Sequence, residues 1–341
     1  MRVGLHPGGT HRLDRRRLLA GAGALLGGVP LYSLLPVFLA EAAPLTYPVE
    51  PVAIGPGAWV VYGAREAITS ANGGAIANIG ILDSEAGAII IDTGPSKRFG
   101  EALRGVAMKL TGKPVVRVYL THFHPDHVFG NQAFAPEIIA APEAVIDGLR
   151  QLGEDFASAM YHAAGDWMRG TEVALPGRVI PSGQATNWPV EDFGGRRLRL
   201  LPLMGHTASD LAVFDETSGL LFAGDLAFLD RAPTTPHADL DNWRASLASL
   251  GVVSGTVVPG HGPVEAGTRA IDQTRDWLDM IEGRIGAAFE RGLSMTEAMT
   301  DPLPEWTRRI ALARYEFQRS VMHVYPKLEA GTWPRVDRSV D

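Results

Sequence analysis

The spacing of apolar and polar positions changes period repeatedly along residues 43–341, and each change marks an element. Short β-rich segments are predicted at Ala58–Tyr62, Ala75–Leu82 and Ala88–Asp92. The last contains the unbroken apolar run Ala88-Ile89-Ile90-Ile91, which suits a strand buried on both faces. A helix is predicted over Lys97–Leu110, then a second buried strand, Val115–Leu120, whose end delivers Thr121 and His122. Helical spacing follows at about Glu143–Leu152 and Glu154–Arg169, with strands at Arg197–Leu201, Leu211–Phe214 and Leu220–Ala223. A helix over Leu240–Leu250 and a short strand, Thr256–Val258, lead to Pro259-Gly260-His261-Gly262. The remainder reads as helical, with Trp306, Ile310, Ala313, Phe317, Val321 and Val324 spaced as one apolar stripe. Strands and helices thus interleave twice, which predicts an α/β architecture of two packed sheets with helices outside. The polar clusters fall where strands end, and loops there are held by a rigid scaffold.

The first 42 residues follow a different pattern. A basic stretch, Arg12 to Arg17, precedes an apolar run from Leu18 to Leu39 and a small-x-small site, Ala40-Glu41-Ala42. This is the arrangement of an export signal, so residues 1–42 are expected to be a leader and residues 43–341 the mature domain. Asp14-Arg15-Arg16-Arg17-Leu18-Leu19 resembles the twin-arginine pattern, with Asp14 in place of the usual Ser or Thr. That pattern implies export of a folded, metal-loaded protein to the periplasm. The competing expectation is an uncleaved membrane anchor, since the apolar run is long enough to span. Gly21, Gly23, Gly27, Gly28, Pro30 and Pro36 weigh against it. The Pro-rich stretch Ala43–Pro56 is expected to be an extended entry segment.

Composition narrows the chemistry. The 341 residues include no Cys, which excludes disulfides, Cys-ligated zinc, Cys-bound iron–sulfur clusters and a thiol nucleophile. The formal charge is −7. Loss of the leader removes five of the 31 basic and two of the 38 acidic residues, leaving 26 and 36 and a net charge of −10. A nucleic-acid partner and stable attachment to an anionic membrane are therefore not expected. Ten histidines remain to be explained, and five of them sit in three tight motifs.

These motifs are Thr121-His122-Phe123-His124-Pro125-Asp126-His127, Gly205-His206-Thr207 and Pro259-Gly260-His261-Gly262. Ala223-Gly224-Asp225 adds a carboxylate at the end of an apolar strand. Alternate residues of an extended segment point the same way, so His122 and His124 can share one ion. Asp126 and His127, beyond a Pro-containing bend, can turn toward a second. Gly205, Gly260 and Gly262 are expected to allow the bends that keep His206 and His261 close. His6 and His11 belong to the leader, and His162 and His323 are expected at the surface.

Asp92 (in Ile91-Asp92-Thr93-Gly94), His122, His124, Asp126, His127, His206, Asp225 and His261 together resemble, in order, the motif series of the metallo-β-lactamase superfamily. The resemblance covers about residues 50–265, with a helical C-terminal extension over 266–330. It implies an αβ/βα sandwich with a two-metal site, usually zinc, along one edge of the sheets. Carried over residue by residue, it implies that His122, His124 and His206 bind the first zinc and that Asp126, His127 and His261 bind the second. It further implies that Asp225 bridges both and that Asp92 orients the metal-binding loop. The implied reaction is hydrolysis of a small ester, thioester, lactone or amide by a metal-bridging hydroxide, with Asp126 as ligand and proton shuttle.

Departures from individual branches refine this. The absence of Cys excludes the cysteine-ligand lactamases, and Asp225 separates the chain from the lactamase subclass that shares H-x-H-x-D-H, so β-lactam cleavage is the less favoured reaction. Glyoxalase II and many lactonases and thioesterases share the complete set, but Arg308, Arg309 and Arg314 match the basic glyoxalase II helices weakly. The principal alternative is a mononuclear Fe²⁺ persulfide dioxygenase using His122, His206 and Asp225. The other is a non-catalytic periplasmic accessory protein. The leader, Tyr47-Pro48-Val49-Glu50-Pro51 and the segment Arg231–His237 are similar to exported metallohydrolases of quinoprotein and sulfur-oxidation systems, which implies such a partner beside a small-molecule substrate. Arg231 and His237 are candidate substrate contacts. Phe156, Met160, Tyr161, Trp167 and Met168 are expected in the core, with a lid over an apolar substrate as the alternative.

Overall fold

The computed structural model describes residues 45–181, 187–253 and 255–332, so the expected leader lies outside the described residues. One sheet has seven strands in sequence order: β1 (Pro51–Gly55), β2 (Ala58–Val61), β3 (Ile79–Asp83), β4 (Ala88–Ile91), β5 (Val115–Tyr119), β6 (Ile139–Pro142) and β7 (Arg178–Ile180). Pairing is antiparallel from β1 to β4 and parallel from β4 to β7. The second sheet comprises β8 (Val190–Asp192), β9 (Arg197–Leu203), β10 (Asp210–Asp215), β11 (Leu220–Phe228), β12 (Thr256–His261) and β13 (Glu265–Ala266). Its order is β13-β12-β11-β10-β9-β8, with only β11 and β12 parallel.

The sheets stack face to face with helices outside both. Between them lie Val60, Leu82, Ile89, Ile91 and Tyr119 from the first sheet and Leu198, Leu200, Leu211, Val213, Phe222 and Val258 from the second. The opposite face of the first sheet carries Ile79, Ile81, Ala88, Ile90 and Val118 against α1 (Lys97–Thr111) and α3 (Glu143–Ala164). The apolar run of β4 is thereby explained: alternate residues enter two different cores. The outer face of the second sheet packs on α4 (Leu240–Val253), α5 (Arg269–Glu290) and α7 (Ala313–Thr332), through Trp243, Ile271, Trp277, Ile281, Phe317 and Val321. Two short helices, α2 (Pro125–Val128) and α6 (Met295–Ala298), complete the fold. Among the described residues, no helix is long and apolar enough to cross a membrane.

Local signals account for the boundaries. Ser96 caps α1 by accepting from the Phe99 amide at 3.2 Å, and Gly112 ends it in the left-handed region. Several expectations are corrected. The two helical segments around Gly153 form the single helix α3, because Gly153 is buried against Val173 and serves close packing rather than a break. The expected entry segment contains β1. The apolar stripe excludes Trp306, which is 41% exposed in a 3₁₀ turn before α7. β11 and β12 run on to Phe228 and His261, so Asp225 and His261 lie within strands, at a register irregularity around Gly224.

Candidate metal centre

Five elements bring the histidine motifs together at one edge of the sandwich. His122 and His124 occupy the turn after β5, and Asp126 and His127 the first turn of α2, where Pro125 sets the helical φ. His206 follows β9, Asp225 sits in β11 and His261 ends β12. Two groups result, His122 with His124, His206 and Asp225, and Asp126 with His127 and His261. Within each group the donor atoms lie within 4.8 Å of one another, and all seven residues are buried. Asp225 stands between the groups. Its Oδ2 is 3.3 Å from His206 Nε2 and 3.8 Å from His122 Nε2, while its Oδ1 is 3.2 Å from both His127 Nε2 and His261 Nε2. Asp126 Oδ2 lies 3.6 Å from His127 Nε2 and 3.5 Å from His261 Nε2.

The chain holds the outward ring nitrogens of three histidines, whereas His206 Nδ1 is buried without a hydrogen-bond partner. His122 Nδ1 is 3.0 Å from Thr121 Oγ1, His127 Nδ1 is 2.7 Å from Asp92 Oδ2, and His261 Nδ1 is 2.8 Å from the Ile76 carbonyl. These contacts point the other nitrogen of each ring inward. Asp92 adopts φ 64° and also accepts from the Thr121 amide and hydroxyl, each at 2.7 Å, so it ties the two loops that frame the site. His124 is turned the other way. Its Nδ1 faces His206 Nε2 at 2.9 Å, and its Nε2 meets His237 Nδ1 at 2.9 Å. If His124 ligates through Nδ1, its Nε2–H donates to His237 Nδ1 and the His237 proton is on Nε2.

Such a cluster fits divalent cations. His122 Nε2 is buried without a hydrogen-bond partner, and the donors facing one another are imidazoles and carboxylates, the ligands zinc takes when thiolates are absent. Burial depresses the pKa of His122 and His124 and brings His206 to about 3, which keeps these rings neutral. Burial opposes the charge on Asp225, yet His261 and His127 outweigh it and hold the carboxyl well below its ordinary range. His127 is opposed by burial as well, but Asp225, Asp126 and Asp92 outweigh it and raise its pKa.

Close approach of backbone is required at Gly205 and Gly262, as expected, where a Cβ would fall 2.2 Å from Trp243 Cα and 1.7 Å from the Leu229 carbonyl oxygen, and at two further glycines beside the carboxylate and Thr121. A Cβ at Gly260 would fall 1.9 Å from Asp225 Oδ1. Gly224, which sequence reasoning passed over, has φ 53° and would place a Cβ 2.6 Å from that of Thr121.

The site opens into a cleft of about 380 Å³ whose lining includes His124, Asp126, Asp225 and His261. Both candidate substrate contacts reach it. His237 is exposed at its rim. Arg231 is 4% exposed, with Nη1 donating to the Ala232 carbonyl at 3.0 Å and Nη2 3.4 Å from Glu316, so its fork is turned into the protein. Of the aromatic and Met residues on and after α3, Phe156 lines the cleft and Met160 and Met168 are core. Tyr161 is exposed, and Trp167 donates to the Ser70 carbonyl. His162 is exposed as expected, whereas His323 is 3.1 Å from the Ala238 carbonyl. Glu316 and Arg319 of α7 also line the cleft and were missed. Their only sequence signal is an i, i+3 charge pair, which ordinarily marks a solvated helix face.

Comparison with known proteins identifies the family and the fold. The chain is 27% identical over 190 residues to a beta-lactamase-like protein 2 homolog of Caenorhabditis elegans, covering 55% of this chain and 56% of that protein. It is 23% identical over 257 residues to a linear primary-alkylsulfatase of Pseudomonas sp., covering 64% and 48% respectively. The chain thus spans about half the length of these curated relatives. In fold it is similar to a metallo-beta-lactamase from Pontibacter korlensis, with TM-score 0.53, 21% identity and coverage of 67% of this chain and 98% of that one. It is also similar to a double mutant of the sec-alkyl sulfatase PisA1, with TM-score 0.60, 18% identity and coverage of 84% and 52%. The family model of the metallo-beta-lactamase superfamily matches residues 72–281, from before β3 into α5, and the chain belongs to that superfamily.

Proposed function

We propose that this chain is a di-zinc hydrolase of a small ester, thioester, lactone or amide. The observation that carries the reading is Asp225, which offers one carboxylate oxygen to each of two complete donor groups. His122, His124 and His206 would hold one cation, Asp126, His127 and His261 the other, and Asp225 both. When bound there, the two cations supply Lewis acidity that polarises a substrate carbonyl and acidifies water near neutral pH. The chain's own residues do the rest. Asp92 and Thr121 fix the ring orientations of His127 and His122, and Asp126, at the cleft floor, takes a proton from the attacking water and returns one to the leaving group.

A mononuclear iron site on His122, His206 and Asp225 would leave Asp126, His127 and His261 without a cation to hold, so the two-zinc reading accounts for more of the site. The curated alkylsulfatase relative adds sulfate esters to the substrates worth assaying, and β-lactams remain the less favoured class. Export by the twin-arginine route, and a quinoprotein or sulfur-oxidation partner in the periplasm, belong to the same reading and rest on residues 1–42 and on the segments around Tyr47 and Arg231.

Asp126→Asn tests the assigned chemistry. The amide keeps the side-chain shape but cannot take the proton, so turnover of the best ester or thioester should fall by about 10²–10⁴. Zinc held by the His122, His124 and His206 group should stay near its original level. Unchanged turnover with full metal content would remove Asp126 from the mechanism.

A further inference from the structure

One wall of the cleft is contributed by α7, which lies beyond residues 72–281 of the family match. Glu316 there is fully buried between two guanidinium groups. Arg231 Nη2 lies 3.4 Å from its Oε1, and Arg319 Nη1 lies 3.3 Å from Oε1 and 3.1 Å from Oε2. One carboxylate between two arginines leaves this wall with an excess positive charge. Burial raises the Glu316 pKa against the pull of both arginines.

The two arginines differ in what remains available. Arg231 is committed to Glu316 and the Ala232 carbonyl and is 4% exposed. The Arg319 side chain is 37% exposed, lines the same cleft as Asp126, Asp225 and His261, and rests on the Tyr315 ring at 5.6 Å. Its hydrogen bonds to Glu316 use Nη1 alone. Among the described residues, its Nε and Nη2 have no hydrogen-bond partner, and these two N–H groups form the side-on edge that matches a carboxylate bidentately. Ile68, Phe156, Ala159 and Ala163 supply apolar surface in the same cleft.

We propose that Arg319 is a specificity-determining residue whose Nε–Nη2 edge binds a carboxylate on the substrate, remote from the scissile bond. The substrate class is then an ester, thioester or lactone of a dicarboxylic acid, with its hydrocarbon chain against Ile68 and Phe156. Glu316 is the positioning residue, since it fixes the Arg319 plane without reaching substrate. This proposal rests on the hydrolase reading of the cleft, but it is testable by binding alone.

The experiment is calorimetric titration of the zinc-loaded protein with matched acids, succinate against butyrate and adipate against hexanoate. One carboxylate is common to each pair, so any contact it makes with the cations cancels in the comparison. The unaltered protein should prefer at least one dicarboxylate by about tenfold, the scale of a charge-assisted bidentate contact. Arg319→Ala and Arg319→Gln should erase that preference and leave the monocarboxylate affinity in place, while Arg319→Lys should retain part of it. No binding, no preference in the unaltered protein, or variants that weaken both acids alike would overturn the proposal. A preserved preference in a protein that hydrolyses no substrate would refute the hydrolase reading and leave the anion site standing.

Discussion

Gly260→Ala is expected to remove metal binding at the bridging position and at least about a hundredfold of any turnover, although a single methyl group is all that it adds. The new Cβ would sit 1.9 Å from Asp225 Oδ1 and 2.7 Å from the Gly224 carbonyl carbon. Neither contact can be relieved by a flexible side chain, since one neighbour is backbone and the other is the carboxylate that serves both donor groups. The strand cannot retreat either. The Gly260 carbonyl accepts from the Asn78 amide at 2.7 Å, and Asn78 Nδ2 donates to the Pro259 and Gly262 carbonyls at 2.8 and 2.7 Å. Overpacking of this kind costs about 1–3 kcal/mol and the strain falls on Asp225 and His261. Zinc content and a thermal melt measured together check this, and a variant with unaltered metal content and turnover would show that the approach of β12 to Asp225 is looser than described.

Asp225→Ala should be the most damaging change at the site. It withdraws an oxygen from each group at once, where any other donor replacement affects one group alone. Turnover should fall on the order of a thousandfold, reflecting the several kcal/mol of transition-state stabilisation that a Lewis-acid cation contributes. Stability should fall as well. The substitution removes the buried carboxylate that faces His127 Nε2 and His261 Nε2, each at 3.2 Å, and leaves those ring nitrogens without it, a change that costs about 1–3 kcal/mol. Elemental analysis and denaturant unfolding are the measurements. Retention of both cations with ordinary stability would place the bridge elsewhere.

The parts of this molecule that were legible in the sequence are those whose chemistry is local. The His122–His127 motif declares its own geometry because a strand end, a proline and a helical first turn are all encoded within it. The β4 and β5 runs announce buried strands for the same reason. Short strands such as β6, β7 and β8 lack a hydrophobic period long enough to register and exist because a neighbour offers an edge. Asn78, which pins the His261 turn from 181 positions away, gave no signal, since nothing near it in the chain indicates its partner. Gly224 and Glu316 are similar cases, a bulge set by Thr121 and a buried charge set by Arg231. Gly153 misled in the opposite direction, as a glycine inside a helix for packing resembles one that ends it.

In the proposed reaction, two cations held by seven buried donor residues carry out a hydrolysis. Stepwise zinc addition to the metal-free protein, with hydrolysis of ester, thioester, lactone and amide substrates followed at each step, tests it most directly. Turnover should be negligible without metal and rise to a level reached at two zinc equivalents per chain. Full activity with one iron and oxygen uptake on a persulfide, or two bound zinc ions with no hydrolysis of any substrate, sulfate esters and β-lactams included, would contradict it.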